Sequence, residues 1–314
     1  MKKIKNISVL MPAYNCGKYI SQTIKSILNQ TYKEFEFLII DDGSTDNTEN
    51  IIRTFKDGRI LYKNIDHKGI SAALNYGISI ASGDWIARID ADDLNTPDRL
   101  EKQINFLNCN PEYNVISSWS VYFNDKGRIC FLWKPPIDHQ NIYRKLDLHN
   151  PLNHSGIVFN RDLIIKEKYD ETFMNFEDFE LFYRIRDKAV FYNIPLFLTY
   201  TRLRKDSNTK ISESKSIFDL LFKNSSLNLG KSTDISDKKY WNQICGDLCL
   251  FYGKPENAKR YYKKILTPKN LVKYLLILVL GDNLEKFLRM DIKFRIYNLF
   301  NFDRKYYKFL KEYF

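Results

Sequence analysis

Residues 37–48 read FLIIDDGSTDNT. Four apolar residues, Phe37 to Ile40, run directly into two adjacent carboxylates, Asp41 and Asp42, and then into Gly43-Ser44. A short apolar run closed by a turn signal reads as a buried strand. Gly43-Ser44 already supplies the turn. Two neighbouring acids at the open end of such a strand repel each other, so they need a task or strong local donors.

The pattern repeats on either side. Ile7 to Met11 reads as a strand stopped by Pro12. Ile20, Ile24, Ile27 and Leu28 recur at helical spacing. After the acidic turn, Asp46 or Thr45 is expected to cap a helix that buries Ile51, Ile52 and Phe55. Arg59 to Ile65 predicts a third strand, and Ile70 to Ile80 a helix with small Ala72, Ala73 and Gly77. A fourth strand, Asp84 to Ile89, ends in the acidic run Asp90-Ala91-Asp92-Asp93. Pro97 suits the first turn of a following helix through Leu100. Strand and helix thus alternate, which predicts an α/β fold with a mostly parallel sheet flanked by helices.

The middle of the chain changes character. Val115 to Phe123 and Ile129 to Trp133 predict a hairpin across Asn124-Asp125-Lys126-Gly127. Ile157 to Phe159 is a further short strand, Glu177 to Arg186 a helix, and Val190 to Tyr200 a last strand around Pro195. From about Ile211 the chain reads as helical, rich in Lys and Tyr. A boundary near residue 210 is expected, separating a sheet-bearing domain (1–210, with halves 1–110 and 111–210) from a basic helical C-terminal extension (211–314).

Composition narrows the class. The 314 residues are 44% hydrophobic and 28% charged, which suits a folded chain. The net charge is +11, and between Tyr261 and Phe314 twelve Lys and Arg face five Asp and Glu. A tail of that charge suits an anionic partner such as a membrane surface, a nucleic acid or a phosphorylated substrate. The five cysteines, Cys16, Cys109, Cys130, Cys245 and Cys249, form no dense framework, which argues against a secreted disulfide scaffold. The start, MKKIKN, carries no long apolar leader, and the apolar run Tyr274 to Leu280 is shorter than the about 20 residues a membrane span needs. The expectation is a cytoplasmic protein, peripheral on the inner face of the plasma membrane.

Ligands of an open parallel sheet bind beyond the carboxyl ends of its strands. Three motifs fall there: Met11-Pro12-Ala13-Tyr14-Asn15, Asp41-Asp42-Gly43-Ser44 and Asp90-Ala91-Asp92-Asp93. One rim would gather an aromatic ring and five carboxylates. Such a cluster calls for a cation. Magnesium or manganese takes one or two protein carboxylates and completes its shell with phosphate and water, so a metal-bridged diphosphate fits. Neither GxGxxG nor GxxxxGK[ST] is present, which counts against a dehydrogenase or an ATPase.

The ordered set SVLMPAYN, FLIIDDGSTDNT and ASGDWIARIDADDLNTPDRL resembles the family 2 glycosyltransferases, over roughly residues 6 to 205. The resemblance implies the GT-A fold and an inverting, metal-dependent sugar transfer from a nucleotide diphosphate to a hydroxyl. It implies that Pro12, Ala13 and Tyr14 hold the donor, with Tyr14 stacked on the base. Asp42 would hydrogen-bond that base, usually uracil, although guanosine and thymidine donors stay open. Asp90 would lie by the ribose or the metal, Ala91 counts among the donor-binding residues, and Asp92 would hold manganese or magnesium.

Farther along, Asn175-Phe176-Glu177-Asp178 is similar to the family's acidic motif beneath the acceptor, which makes Asp178 the expected catalytic base. Glu177 and Asp178 also suit a helix N-terminus without any catalytic task. His154, in Asn153-His154-Ser155-Gly156, resembles a family segment near the diphosphate and is assigned to the metal with Asp92. The family form has Pro where this chain has Ser155. Arg202 and Arg204 stand where many relatives carry a His, and Arg204 is assigned to the diphosphate. The partners implied are a nucleotide-sugar donor and a glycan or lipid-linked glycan acceptor of bacterial surface polysaccharide, with membrane contact through the tail. Two other readings stand beside this one. One is a donor-binding or scaffold protein without turnover on the same fold, which an activity test with several donors separates. The other is a nucleic-acid binder using the basic tail. No nucleic acid is expected, because the acidic rim repels phosphate and no recognition motif occurs.

Overall fold

The computed structural model describes residues 4, 6–146, 150–173 and 177–204. The first half alternates as predicted: β1 (Ile7–Ala13), α1 (Ile20–Leu28), β2 (Phe35–Asp41), α2 (Thr48–Thr54), β3 (Ile60–Asn64), α3 (Ile70–Ile80) and β4 (Trp85–Arg88). Then come β5 (Leu94–Asn95), α4 (Arg99–Cys109), β6 (Val115–Asn124) and β7 (Ile129–Trp133). The rest is α5 (His139–Leu146), β8 (Val158–Asn160), α6 (Arg161–Glu167), α7 (Glu177–Arg184) and β9 (Phe191–Leu203).

Among the described residues these strands form one sheet in the order β3-β2-β1-β4-β8-β6-β9-β5, with β7 paired to β6. The first half is parallel throughout, β3-β2-β1-β4. β8 then runs antiparallel to both β4 and β6 and joins the two halves. β6 and β9 are parallel again.

Helices cover both faces of the first half because its central strands β1 and β2 are buried on both faces. Ile20, Ile24 and Ile27 of α1 are buried in one core with Val9, Met11, Phe37 and Ile39. The alternate residues Leu10 and Ile40 meet α3, where Gly77 lies so close that a Cβ would collide with Leu10 and press on Ile40. That close approach is what the small residues of α3 permit.

Three local expectations are corrected. Pro12 does not stop β1, which continues to Ala13 and keeps its register with β2 at Pro12 and Ile40. The Leu10 carbonyl accepts from the Ile89 amide on the β4 side. Alternation turns the missing N–H of Pro12 to that same side, just past Arg88 where β4 has ended, so no ladder bond is lost. At α2 neither Thr45 nor Asp46 is the cap residue; that position is Asn47. Asp46 acts one residue earlier, accepting from the Thr48 amide at 2.9 Å and the Gly17 amide at 3.0 Å. Two-residue β5 was not expected, and it pairs with β9. Pro195 does lie in the last strand, at a slip in its register with β6 between Ser118 and Ser120.

Arg99 at the start of α4 locks these pieces together. It is fully buried and all five N–H groups have acceptors. Nε donates to Gln103 at 2.9 Å, and one terminal nitrogen to Asn95 at 2.8 Å and the Ser155 carbonyl at 3.2 Å. The other donates to the carbonyls of Arg88 at 2.9 Å and Ile157 at 3.1 Å. One side chain thus ties the end of β4, β5, α4 and the turn before β8. The expected boundary near 210, the extension 211–314 and the Cys245–Cys249 pair lie outside the described residues.

Replacing Arg99 strands several buried acceptors at once. Arg99→Met is expected to cost about 3 kcal/mol or more in urea unfolding of the full chain. Arg99→Lys should recover little of it, because an ammonium cannot span acceptors on four elements.

Candidate active site

The two carboxylates of the DDGS turn serve different partners, which answers why they can stand side by side. Asp41 is buried; one oxygen accepts from the Ser44 amide and the other from the Tyr62 hydroxyl, both at 2.9 Å. Asp41 therefore closes the turn, in which Gly43 takes a φ of 70° that favours glycine. Asp42 points to the segment after β3. Its Oδ1 accepts from the Lys68 amide at 2.8 Å, and its Oδ2 from the Gly69 amide at 2.9 Å and His67 Nδ1 at 2.8 Å. Tyr14, just past β1, is among the most exposed aromatic residues and its ring lies against that of His67.

The acids after β4 are each met by an arginine. Asp90 forms a forked pair with buried Arg88, at 2.7 and 2.5 Å. Asp92 Oδ2 lies 2.8 Å from Arg204 Nε. Asp93 is buried and accepts from the Arg202 amide at 2.7 Å, while Arg202 Nε donates to the Asp92 carbonyl at 2.8 Å. The Arg202 guanidinium also lies 4.6 Å over the rings of both Tyr19 and Phe123. Ala91 is buried and its carbonyl accepts from Thr23. Burial and the neighbouring Asp90 push the Asp92 pKa up to about 6, and Arg204 and Arg202 oppose them. Burial also raises the Asp93 pKa well above the usual carboxylate value, helped by Asp92 and Asp90.

Asp178, on the first turn of α7, accepts from Asn150 Nδ2 and from the Phe179 amide, both at 2.7 Å. Burial raises its pKa above the usual carboxylate range; those two bonds and Arg88 pull it back. Burial, then the charge of Asp178, push Glu177 up to about 8. His154, expected beside Asp92 as a metal ligand, has a hydrogen-bond partner at one ring nitrogen. Nε2 lies 2.8 Å from the Tyr169 hydroxyl, and Nδ1 lies 3.8 Å from Glu177. Burial, with Arg88 nearby, holds the ring well below its usual pKa and so neutral.

These groups share one electrostatic neighbourhood. Buried Cys16 lies within the electrostatic reach of Asp46, Asp92 and Asp41. Tyr122 on β6 feels Asp93, Asp178 and Asp90. Arg88 and Asp90 act on both Glu177 and Asp178. Burial pushes the Cys16 thiol to about 12, which leaves it inert at neutral pH. Among the described residues no three His, Cys, Asp or Glu side chains form a ready metal cage. The donor set still suits magnesium or manganese arriving with phosphates, since Asp92 supplies a hard oxygen whose burial calls for a cation.

Sequence reasoning missed Arg88, Arg99, His67 and Asn150. Arg88 had a signal, a lone charge inside the apolar strand WIAR. The others had none that periodicity or spacing could reveal.

Comparison with solved structures agrees with this architecture. The chain superposes on S. aureus TarS in complex with UDP-GlcNAc with a TM-score of 0.56 and 17% identity, over 89% of this chain and 81% of that one. It superposes on the mannosyltransferase PcManGT of Pyrobaculum calidifontis, in complex with GDP-Man and Mn2+, with a TM-score of 0.57 and 15% identity, over 97% and 85%. The fold is the GT-A fold of the glycosyltransferases. Residues 8–169 match the family model for glycosyl transferase family 2, and the chain belongs to that family and is a glycosyltransferase. An uncharacterised glycosyltransferase of Rickettsia typhi is 27% identical over 310 residues, 95% of this chain and 96% of its own. Another, from Methanocaldococcus jannaschii, is 34% identical over 184 residues, 57% of this chain; the match spans 63% of the relative. No helix among the described residues is long and apolar enough to cross a membrane.

The raised pKa of Glu177 makes stability depend on pH. Its carboxyl keeps its proton to about pH 8 when folded but loses it near pH 4.3 when unfolded. The contribution is complete below about pH 4 and is lost as pH rises through 8. Urea unfolding should show Glu177→Gln gaining on the parent between pH 5 and pH 8, by on the order of 1 kcal/mol per pH unit. A constant difference across that range would contradict the assignment.

Proposed function

We propose that the chain transfers a sugar with inversion from a nucleoside-diphosphate donor to an acceptor hydroxyl, with Asp178 as the base. The observation that carries this reading is that Arg88, forked onto Asp90, acts with Asp90 on the charge of Asp178, whose carboxylate pKa is raised by desolvation. A base needs a pKa near the working pH, and burial moves Asp178 in that direction. Its bonds to Asn150 and the Phe179 amide orient the carboxylate.

In this reading Pro12 and Ala13 form the floor of the donor site, Tyr14 stacks on the base, and Asp42 accepts a base N–H. Asp90 and Ala91 line the ribose side. Arg204, paired to Asp92 at 2.8 Å, would meet the diphosphate. Asp92 would hold manganese or magnesium, which when bound supplies positive charge for the departing diphosphate. His154 is read here as a positioning residue, because its Nε2 is taken by the Tyr169 hydroxyl. Asp178 takes the proton of the acceptor oxygen as that oxygen attacks the anomeric carbon from the face opposite the diphosphate. The proposed acceptor is a glycan, free or lipid-linked, in surface polysaccharide assembly; that part rests on the family resemblance. UDP donors lead, with GDP and dTDP donors next.

Two substitutions separate the roles. Asp92→Asn should abolish the manganese-dependent rise in melting temperature that nucleoside diphosphates give the parent. A ligand at 100 times its Kd is worth about 2.7 kcal/mol, so the effect is readable. Asp178→Asn should keep that rise but lower turnover, followed as nucleoside diphosphate release with acceptor present, by about 10²- to 10⁴-fold. Full turnover in Asp178→Asn would remove the base from the mechanism.

A further inference from the structure

A ring within the chain already makes both contacts that the proposed function asks of the donor's base. The His67 imidazole lies on Tyr14 with ring centroids 4.1 Å apart and planes 14° from parallel. Its Nδ1 is 2.8 Å from Asp42 Oδ2. A carboxylate at neutral pH only accepts, so Nδ1 carries the hydrogen. His67 thus offers a flat face to Tyr14 and an edge N–H to Asp42.

We propose that His67 is an internal surrogate for the donor's base: it competes for Tyr14 and Asp42, and the nucleotide binds as the imidazole leaves them. The inference rests on the reading of Tyr14 and Asp42 as the base site. Three features make the exchange workable. The His67 side chain is 53% exposed, so it can swing outward without crossing the core. The amides of Lys68 and Gly69 hold Asp42 without the imidazole, so the carboxylate stays seated when His67 departs. Asp42 is nearly buried, and its oxygens already accept three hydrogen bonds. A carboxylate offers about four acceptor sites, so a base gains full access to Oδ2 only when His67 gives it up.

A base that replaces His67 must bring an in-plane N–H at its edge together with a flat face; uracil, thymine and guanine do so through a ring N–H at their pairing edge.

Competition of this kind raises the apparent Kd by the inverse of the fraction of molecules with His67 displaced. The test is calorimetric titration of the full chain with UDP, GDP and dTDP in the presence of manganese. His67→Ala is expected to bind the best of these nucleotides at least about threefold tighter than the parent. His67→Phe keeps a ring for Tyr14 without the N–H and should fall between the two. Binding by His67→Ala that is equal to or weaker than the parent's overturns the surrogate role. Asp42→Asn tests the underlying reading separately. If it leaves parent-level affinity, or if the parent binds none of the three nucleotides, the base site itself is misplaced and the surrogate goes with it. A crystal structure with nucleotide bound decides independently: the imidazole should be off Tyr14, and an unbroken His67–Asp42 bond there would refute the exchange.

Discussion

Carboxylates gathered away from water need cations, and the arrangement of this site follows from how the chain supplies them. Arg88 is the central case. It sits fully buried on β4, forks onto Asp90, and acts on Glu177, Asp178 and His154 from the same place. One guanidinium therefore links the acids at the end of β4 to the acids that open α7. Without it Asp90 would lose its forked partner, and the acids near it would lose a neighbouring positive charge.

The other arginines divide the remaining work. Arg99 meets carbonyls and amides and no acid, and it fixes the backbone around β4, β5 and α4. Arg202 is held by its own amide, the Asp92 carbonyl, Gln22 and two aromatic rings, so it belongs to the frame. Arg204 reaches Asp92 through a side chain that is about a quarter exposed. Two further points are satisfied from within the chain: a guanidinium on Asp92, and an imidazole on Tyr14 and Asp42. Buried or half-buried polar groups do not stay unpartnered, and here neighbours from the same chain partner them.

Much of the first half was legible because local physics settles it. The apolar runs of β1 and β2, the helical spacing of Ile20, Ile24 and Ile27, and the glycine turn after Asp42 each have one economical reading. The places where expectation failed are places where a neighbour decides. Pro12 continues β1 only because β4 has ended beside it. β5 exists only because β9 returns to pair with it.

The sequence by itself determined the class of fold, the acidic strand ends after β2 and β4, and the acid pair at the start of α7. Periodicity and turn chemistry are properties of neighbouring residues, so they survive in the linear chain. Only the tertiary structure decided which cation meets which carboxylate, and that Asp42 and Tyr14 share a histidine. Those contacts join residues from 2 to 112 positions apart, and their strength comes from burial, which no residue carries until the chain has packed.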